Sequence, residues 1–147
     1  MAQAKKYSDN LIIMHQQFKS YGGEQSFYGK ISTIKCLNDN SKVREAVNTD
    51  GSNKVLIVDG EASMKCALLG DMLAEAAFKN NWSGIIVNGC IRDSDVIANI
   101  GIGVFALTTK PVKSVKKGAG ETELDVHFMD ITFKPGDYIS VSYTHLR

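Results

Sequence analysis

The sequence predicts an α/β fold: a mixed β/α, sandwich-like core of parallel βαβ units with a β-rich C-terminal part. Three observations predict it. "KVLIVDG" (54–60) and "SGIIVNG" (83–89) are apolar runs that stop at Asp-Gly and Asn-Gly, the pattern of strands covered on both faces. Between them, "ALLGDMLAEAAFKNN" carries Leu69, Met72, Leu73, Ala76 and Ala77 in one stripe at helical spacing. Beyond Pro111 the pattern becomes alternating, with Leu124, Val126, Phe128 and then Ile131, Phe133, as in antiparallel strands.

Taken in chain order, "NLIIMHQQF" spaces Leu11, Ile12, His15 and Phe18 as a short helix. His15 there is a packing or surface residue. "SYGGEQSFYG" reads as a turn-rich connector in which Gly22, Gly23 and Gly29 permit positive φ. "KISTIKCL" is a strand with both faces partly covered. "NDNSKVREAVN" is a turn and a short helix with Ser41 as N-cap, and "TDGSN" is another turn. After the central strand, helix and strand, "SDVIANI" is a short helix and "GVFALTT" a further strand. Crossovers between such strands are right-handed. Strands 55–59 and 84–88 therefore run parallel and end at the same edge of the sheet. Lys134-Pro135-Gly136-Asp137 is a turn between strands.

Residues 1–147 suit one domain of ordinary soluble composition, 44% apolar. The net charge of +1, from 17 basic and 16 acidic residues, gives no electrostatic footprint for nucleic acid. Cys36, Cys66 and Cys90 form neither a CxxC pair nor a disulfide framework and read as buried thiols. No apolar run approaches the roughly 20 residues that span a bilayer, and no signal peptide is seen. The expected location is the cytoplasm.

Ligands of open α/β sheets gather beyond the C-terminal strand ends. Two loops lie there, "DGEASMKCALLGDM" and "NGCIRDSD". Gly70-Asp71 would start a helix whose free N–H groups, on residues 70 to 73, point at an anion. Taken alone, Asp71 reads first as a solvated residue sharing a polar face with Glu75 and Lys79 at i, i+4 spacing. A guanidinium such as Arg92 recognises a carboxylate through two parallel hydrogen bonds. A carboxylate such as Asp93 suits Mg²⁺, which takes one or two carboxylates and keeps waters and substrate oxygens. Asp93 or Ser94 also fits the N-cap of the helix over 94–100.

"GDMLAEAAFKNNWSGIIVNGCIRD" resembles the 4-hydroxy-4-methyl-2-oxoglutarate aldolase family, also called the regulator of ribonuclease activity A-like family. The shared signature is Asp71, then residues 72–91, then Arg92-Asp93. The resemblance extends over about 20–138, through "YGGEQSFYGKISTIKC", "KVLIVDG", "IGVFALTTKPVKSVKKGAGE" and "ITFKPGDY". It implies a β/α core, a homotrimer with the site near the subunit interface, a divalent cation (Mg²⁺ or Mn²⁺) and 2-keto acid substrates that contain a pyruvate unit. It further implies that Gly70, Asp71, Met72 and Leu73 bind substrate through backbone and that Arg92 binds substrate and stabilises the reacting enolate. Asp71 then orients or deprotonates a water, and Asp93 anchors the metal. Ser114 and Lys116 match a segment near the substrate, although a solvated basic run explains them equally well. The implied activity is cleavage of 4-hydroxy-4-methyl-2-oxoglutarate to pyruvate, with oxaloacetate decarboxylation. The alternative the family offers is a regulator that binds and inhibits a ribonuclease without catalysis. In the aldolases an acidic residue for the aldol step can come from a terminal segment of a neighbouring subunit, and this sequence does not place it. "ISVSYTHLR" (139–147) departs from the family pattern and reads as a non-native tail.

Overall fold

The structure, a computed structural model, describes residues 11–14 and 17–142. Its elements in chain order are β1 (Leu11–Ile13), β2 (Lys19–Ser20), β3 (Ser26–Lys35), α1 (Ser41–Val47), β4 (Lys54–Asp59), β5 (Ala67–Leu69), α2 (Asp71–Lys79), β6 (Gly84–Ile91), α3 (Ser94–Ile97), β7 (Gly103–Thr109), β8 (Glu121–Thr122), β9 (Val126–Phe128), β10 (Ile131–Phe133) and β11 (Tyr138–Ser142). One mixed nine-stranded sheet runs in the order β1-β11-β3-β4-β6-β7-β2, with β5 paired to β6 and β8 to β3. Its centre, β3-β4-β6-β7, is parallel throughout, so the expected βαβ units are present and these four strands end at one edge.

The two faces of that centre explain its sequence. Leu56, Val58, Ile85, Val87, Val104 and Ala106 face the helices, where Val43, Val47, Ala74, Ala77 and Ile97 cover them. Val55, Ile57, Ile86 and Phe105 face the other way, onto Val126, Phe128 and Phe133 of the β9–β10 hairpin. A strand covered on both faces has no polar alternation, which is why β4 and β6 read as unbroken apolar runs. The hairpin turns at Met129 and Asp130, both at positive φ, as a two-residue turn requires. Phe128 and Phe133 pack with ring centroids 4.7 Å apart beneath the sheet.

Several local expectations are corrected. Residues 11–13 are a strand, because Leu11, Ile12 and Ile13 pair in parallel with Ser140, Val141 and Ser142. Tertiary pairing decides a segment this short. His15 lies outside the described residues. The connector expected over 20–29 contains the start of β3, and Gly22, Gly23 and Gly29 do not take positive φ. They serve close backbone approach instead: a Cβ on Gly29 would sit 2.8 Å from the Asn53 carbonyl oxygen. The N-cap of α1 is Asn40, not Ser41; the Asp39 carboxylate accepts the Ser41 N–H at 2.9 Å. The proposed helical stripe is also revised, because Leu69 belongs to β5 and Met72 is 78% exposed. The buried face of α2 is made by Ala74 and Ala77, with Leu73 and Ala76 packed beside them. Residues 139–142 lie in β11, with Ile139 and Val141 buried; 143–147 fall outside the described residues. Among the described residues no helix is long and apolar enough to cross a membrane.

Candidate active site

Beyond the C-terminal ends of the strands, β5 and β6 lie side by side and deliver Gly70 and Arg92 to the same place. The Arg92 N–H donates to the Leu69 carbonyl at 2.9 Å, which fixes the two chains against each other. Gly70 is the N-cap of α2 in extended conformation, so its identity is a matter of space rather than of φ. A Cβ there would lie 3.0 Å from Asp93 Oδ2 and 3.1 Å from Arg92 Cζ. The glycine makes room for the Arg92–Asp93 pair itself.

Asp93 adopts the left-handed conformation, with φ 60° and ψ 39°, at the N-cap of α3. Such backbone in a non-glycine residue is costly and clusters at functional sites. Its carboxylate does not cap its own helix. Instead Oδ2 accepts the Asp71 N–H at 3.1 Å and pairs with Arg92 Nη1 at 3.2 Å. It therefore occupies the N-terminus of α2, where the free N–H groups favour negative charge. The Asp71 N–H lowers the Asp93 pKa, with burial opposing and the Asp71 side chain, Arg92 and Lys113 assisting. At neutral pH the group is an anion.

Arg92 stands between two depressions. One is a cavity of about 90 Å³ lined by Asn40, Ala67, Gly70, Met72, Leu73, Arg92, Lys113, Ser114 and Lys116. The other, more open, is lined by Arg92, Asp93, Ser94, Asp95, Val96, Thr109 and Pro111. Six of the expected site residues (Gly70, Met72, Leu73, Arg92, Ser114 and Lys116) thus surround one cavity, and Asp93 adjoins it through Arg92. Asp71 lies at the rim, along a groove shared with Met72, Glu75, Ala76, Lys79 and Val96. Glu75 and Lys79 pair at 4.0 Å, as their spacing implies.

The wall carrying Lys113, Ser114 and Lys116 is not a free basic run. Ala67 N–H donates to Val112 O at 2.8 Å, Val115 N–H to Asn38 O at 3.2 Å, and Asn40 N–H to Ser114 Oγ at 3.2 Å. Asp39 ties down the far end: its Oδ2 accepts the N–H of Lys117 at 2.9 Å and of Ala119 at 3.2 Å. Burial opposes ionisation of Asp39, but the Ser41 hydroxyl and N–H and these two N–H groups outweigh it and bring its pKa to about 2. Asn40, Lys113 and Asp39 were not anticipated. "NDNS" carries only a turn signal, and nothing local announces that Ser114, 74 residues on, lies across it.

The donor set is compatible with a hard divalent cation. Among the described residues no group of three or more His, Cys, Asp or Glu side chains could enclose a metal. An ion at Asp93 would take one or two protein oxygens and complete its shell from substrate and water, as Mg²⁺ does. The three cysteines are free and buried, and burial, with nearby Asp39, Asp59, Cys66 and Glu61, pushes the Cys36 thiol up to about 12. They take no part in the site.

Comparison with known proteins agrees on the family and the fold. Residues 3–141 match the RraA-like family described as Aldolase/RraA. A protein of Pseudomonas putida (strain W619), provisionally named 4-hydroxy-4-methyl-2-oxoglutarate aldolase, is 49% identical over 133 residues, 90% of this chain and 82% of its own. One from Azotobacter vinelandii with the same provisional name is 50% identical over the same shares. Among solved structures, the RNA-processing inhibitor RraA of Thermus thermophilis superposes with TM-score 0.86 at 34% identity, covering 89% of this chain and 80% of that one. A protein of Geobacillus kaustophilus HTA426 described as S-adenosylmethionine:2-dimethylmenaquinone methyltransferase gives TM-score 0.87 at 40% identity, covering 96% and 88%.

Proposed function

Because this chain belongs to the RraA-like Aldolase/RraA family, we propose that it is a carbon–carbon lyase that cleaves 4-hydroxy-4-methyl-2-oxoglutarate to pyruvate and also decarboxylates oxaloacetate. The observation that carries this reading is Arg92. It is held by Asp93 at the N-terminus of α2 and opens onto a small cavity shared with Lys113 and Lys116. A small cavity lined by Arg92, Lys113 and Lys116 suits a compact dianion such as a 2-keto dicarboxylate.

In the cleavage, a base removes the proton of the C4 hydroxyl and the C3–C4 bond breaks. C4 becomes a ketone, and the bond's electron pair passes into the enolate of pyruvate, which is then protonated at C3. Arg92 supplies fixed positive charge beside the enolate oxygen, and the N–H groups of Gly70, Met72 and Leu73 bind the carboxylate, that of Asp71 being given to Asp93. Asp71, at the rim, accepts the hydroxyl proton through a water and returns it to C3. A divalent cation at Asp93, Mg²⁺ or Mn²⁺, would add Lewis-acid stabilisation when bound. The site is expected to lie near a subunit interface of a homotrimer. Exposed Met72 and Val96 beside Asp71 offer apolar surface for such contact.

The test is pyruvate release from both substrates. Activity should vanish with EDTA, return with Mg²⁺ or Mn²⁺, and belong to the trimer in light scattering. Release that persists after thorough chelation would remove the metal from this reading. The second reading, a regulator of a ribonuclease, is favoured by the likeness to the Thermus RraA. It predicts no turnover and inhibition of a ribonuclease by the added protein.

A further inference from the structure

The end of the sheet away from Arg92 carries an arrangement that the lyase reading does not use. Lys30 and Lys54 are register partners on the adjacent parallel strands β3 and β4. Strand alternation puts both on the helix side of the sheet, the side of Ile34 and Leu56. Like charges set opposite each other on neighbouring strands repel, and neither lysine has an ion-pair partner among the described residues. The charge of Lys54 reaches Asp50, but that carboxylate accepts the Ser52 hydroxyl at 2.7 Å and the Ser52 N–H at 3.2 Å. Lys54 Nζ stands 5.9 Å from the centre of the Trp82 ring, whose face attracts the ammonium and gives it a fixed place.

Both lysines line a cavity of about 310 Å³, and so does Ser32, two residues along the same face. The cavity exists because the edge of β3 is paired in two pieces. β11 covers it as far as Lys30, and β8 covers it from Ile34 onward. Pro135 and Gly136 span the gap, with the Gly136 N–H donating to the Ile31 carbonyl at 3.0 Å. Glu123 is the one acid in the lining, and its Oε1 accepts the Thr33 N–H at 3.1 Å. Two ammonium groups against one carboxylate leave the cavity with one positive charge in excess.

We infer that this notch binds a compact monocarboxylate, whose single negative charge lies between Lys30 and Lys54 and relieves their repulsion, with the Ser32 hydroxyl as a further donor. The inference does not depend on the lyase reading, because Lys54 begins β4 and Arg92 lies beyond the opposite end of the parallel strands. A phosphate group carries roughly 1.5–2 negative charges at neutral pH. It would overbalance the excess and meet Glu123 as a like charge, so the notch favours a small organic acid.

The experiment follows the backbone amide shifts of the full chain by NMR during titration with sodium propionate, against sodium chloride at equal ionic strength. The amides of Ser32 and Gly136 should move saturably. Lys30→Met and Lys54→Met should each weaken binding about tenfold or more, the usual loss for a charged hydrogen-bond partner. Inorganic phosphate should bind more weakly than propionate. At low salt and without propionate, Lys30→Met should melt no lower than wild type, because one of two opposed charges is gone; a lower melting temperature would overturn the repulsion. Propionate that moves Gly70 and Arg92 but neither Ser32 nor Gly136, or that moves no amide saturably, would remove the site. Binding at Ser32 that survives both substitutions, or that is tighter for phosphate, would overturn the assignment of its ligand.

Discussion

Where β6 and β7 begin, Gly84 and Gly103 sit opposite each other, and the ring of Phe27 fills the space a Cβ on either would need. Where β5 and β6 end, Gly70 meets not a ring but the Arg92–Asp93 ion pair. The same residue type thus does two different jobs at the two ends of the sheet's parallel centre. At the first end it permits dry packing, continued by Phe27 against Phe105 at 5.7 Å. At the second it permits two charges to lie flat against a helix N-terminus, with a cavity beside them. One edge closes the core and the other leaves polar groups pointing at open space. Stability should therefore be concentrated at the first edge and chemistry at the second.

The sharpest way to break that division is Arg92→Lys. The charge stays but the planar fork is lost. Turnover of either substrate should fall by about 10²–10³, the usual loss for one fixed oxyanion donor. The melting temperature should hardly move. Near-wild-type turnover would reduce "NGCIRDSD" to a strand-to-helix turn.

Next, the glycines can be exchanged at both ends. Gly84→Ala or Gly103→Ala forces a methyl into the Phe27 ring and should cost about 1–3 kcal/mol. That is several degrees of melting temperature in a chain of this size, while turnover per folded molecule is kept. Gly70→Ala should do the reverse, with activity down several-fold and melting nearly unchanged, because Arg92 and Asp93 can yield by a few tenths of an ångström. Calorimetry and activity measured on the same samples decide it; a large melting loss from Gly70→Ala would erase the contrast.

The smallest effect is electrostatic. The native Asp39 carboxyl titrates at about 2, against about 3.9 in an unfolded chain. A depressed native value means that the stabilisation is complete above roughly pH 4 and fades as pH falls toward 2. Asp39→Asn should be about 1–2 kcal/mol less stable than wild type at pH 7. Urea melts should show that gap closing below pH 4. A gap independent of pH would show that the ionised carboxylate is not what holds the wall of the cavity.

How much of this was legible follows the same physics. β4, α2 and β6 were readable because burial on two faces, or on one stripe, writes itself into a contiguous segment. The Asp71 and Arg92-Asp93 spacing was readable for the same reason, since one helix and one strand separate the two. The strand at Leu11–Ile13 was not, because its state is decided by β11 and not by its own residues. Asn40 and Lys113 were not, because they meet only when irregular chain is laid between β5 and the turn before α1. The packing of Gly70 against Arg92 and Asp93 is not legible either, since a sequence does not say what fills the gap a glycine leaves.

The sheet order has a consequence for the time course of folding. β11 does not lie at the rim; it is inserted between β3 and β1, pairing Tyr138 with Lys30 on one side and Ser140 with Leu11 on the other. During synthesis the four parallel strands and their helices can assemble while β3 still shows a bare flank and β1 has no partner. Pairings this distant along the chain are slow to close. For that interval the nascent molecule carries an open edge of the kind that templates aggregation, with Lys30 and Lys35 along it as the charges that discourage a wrong partner.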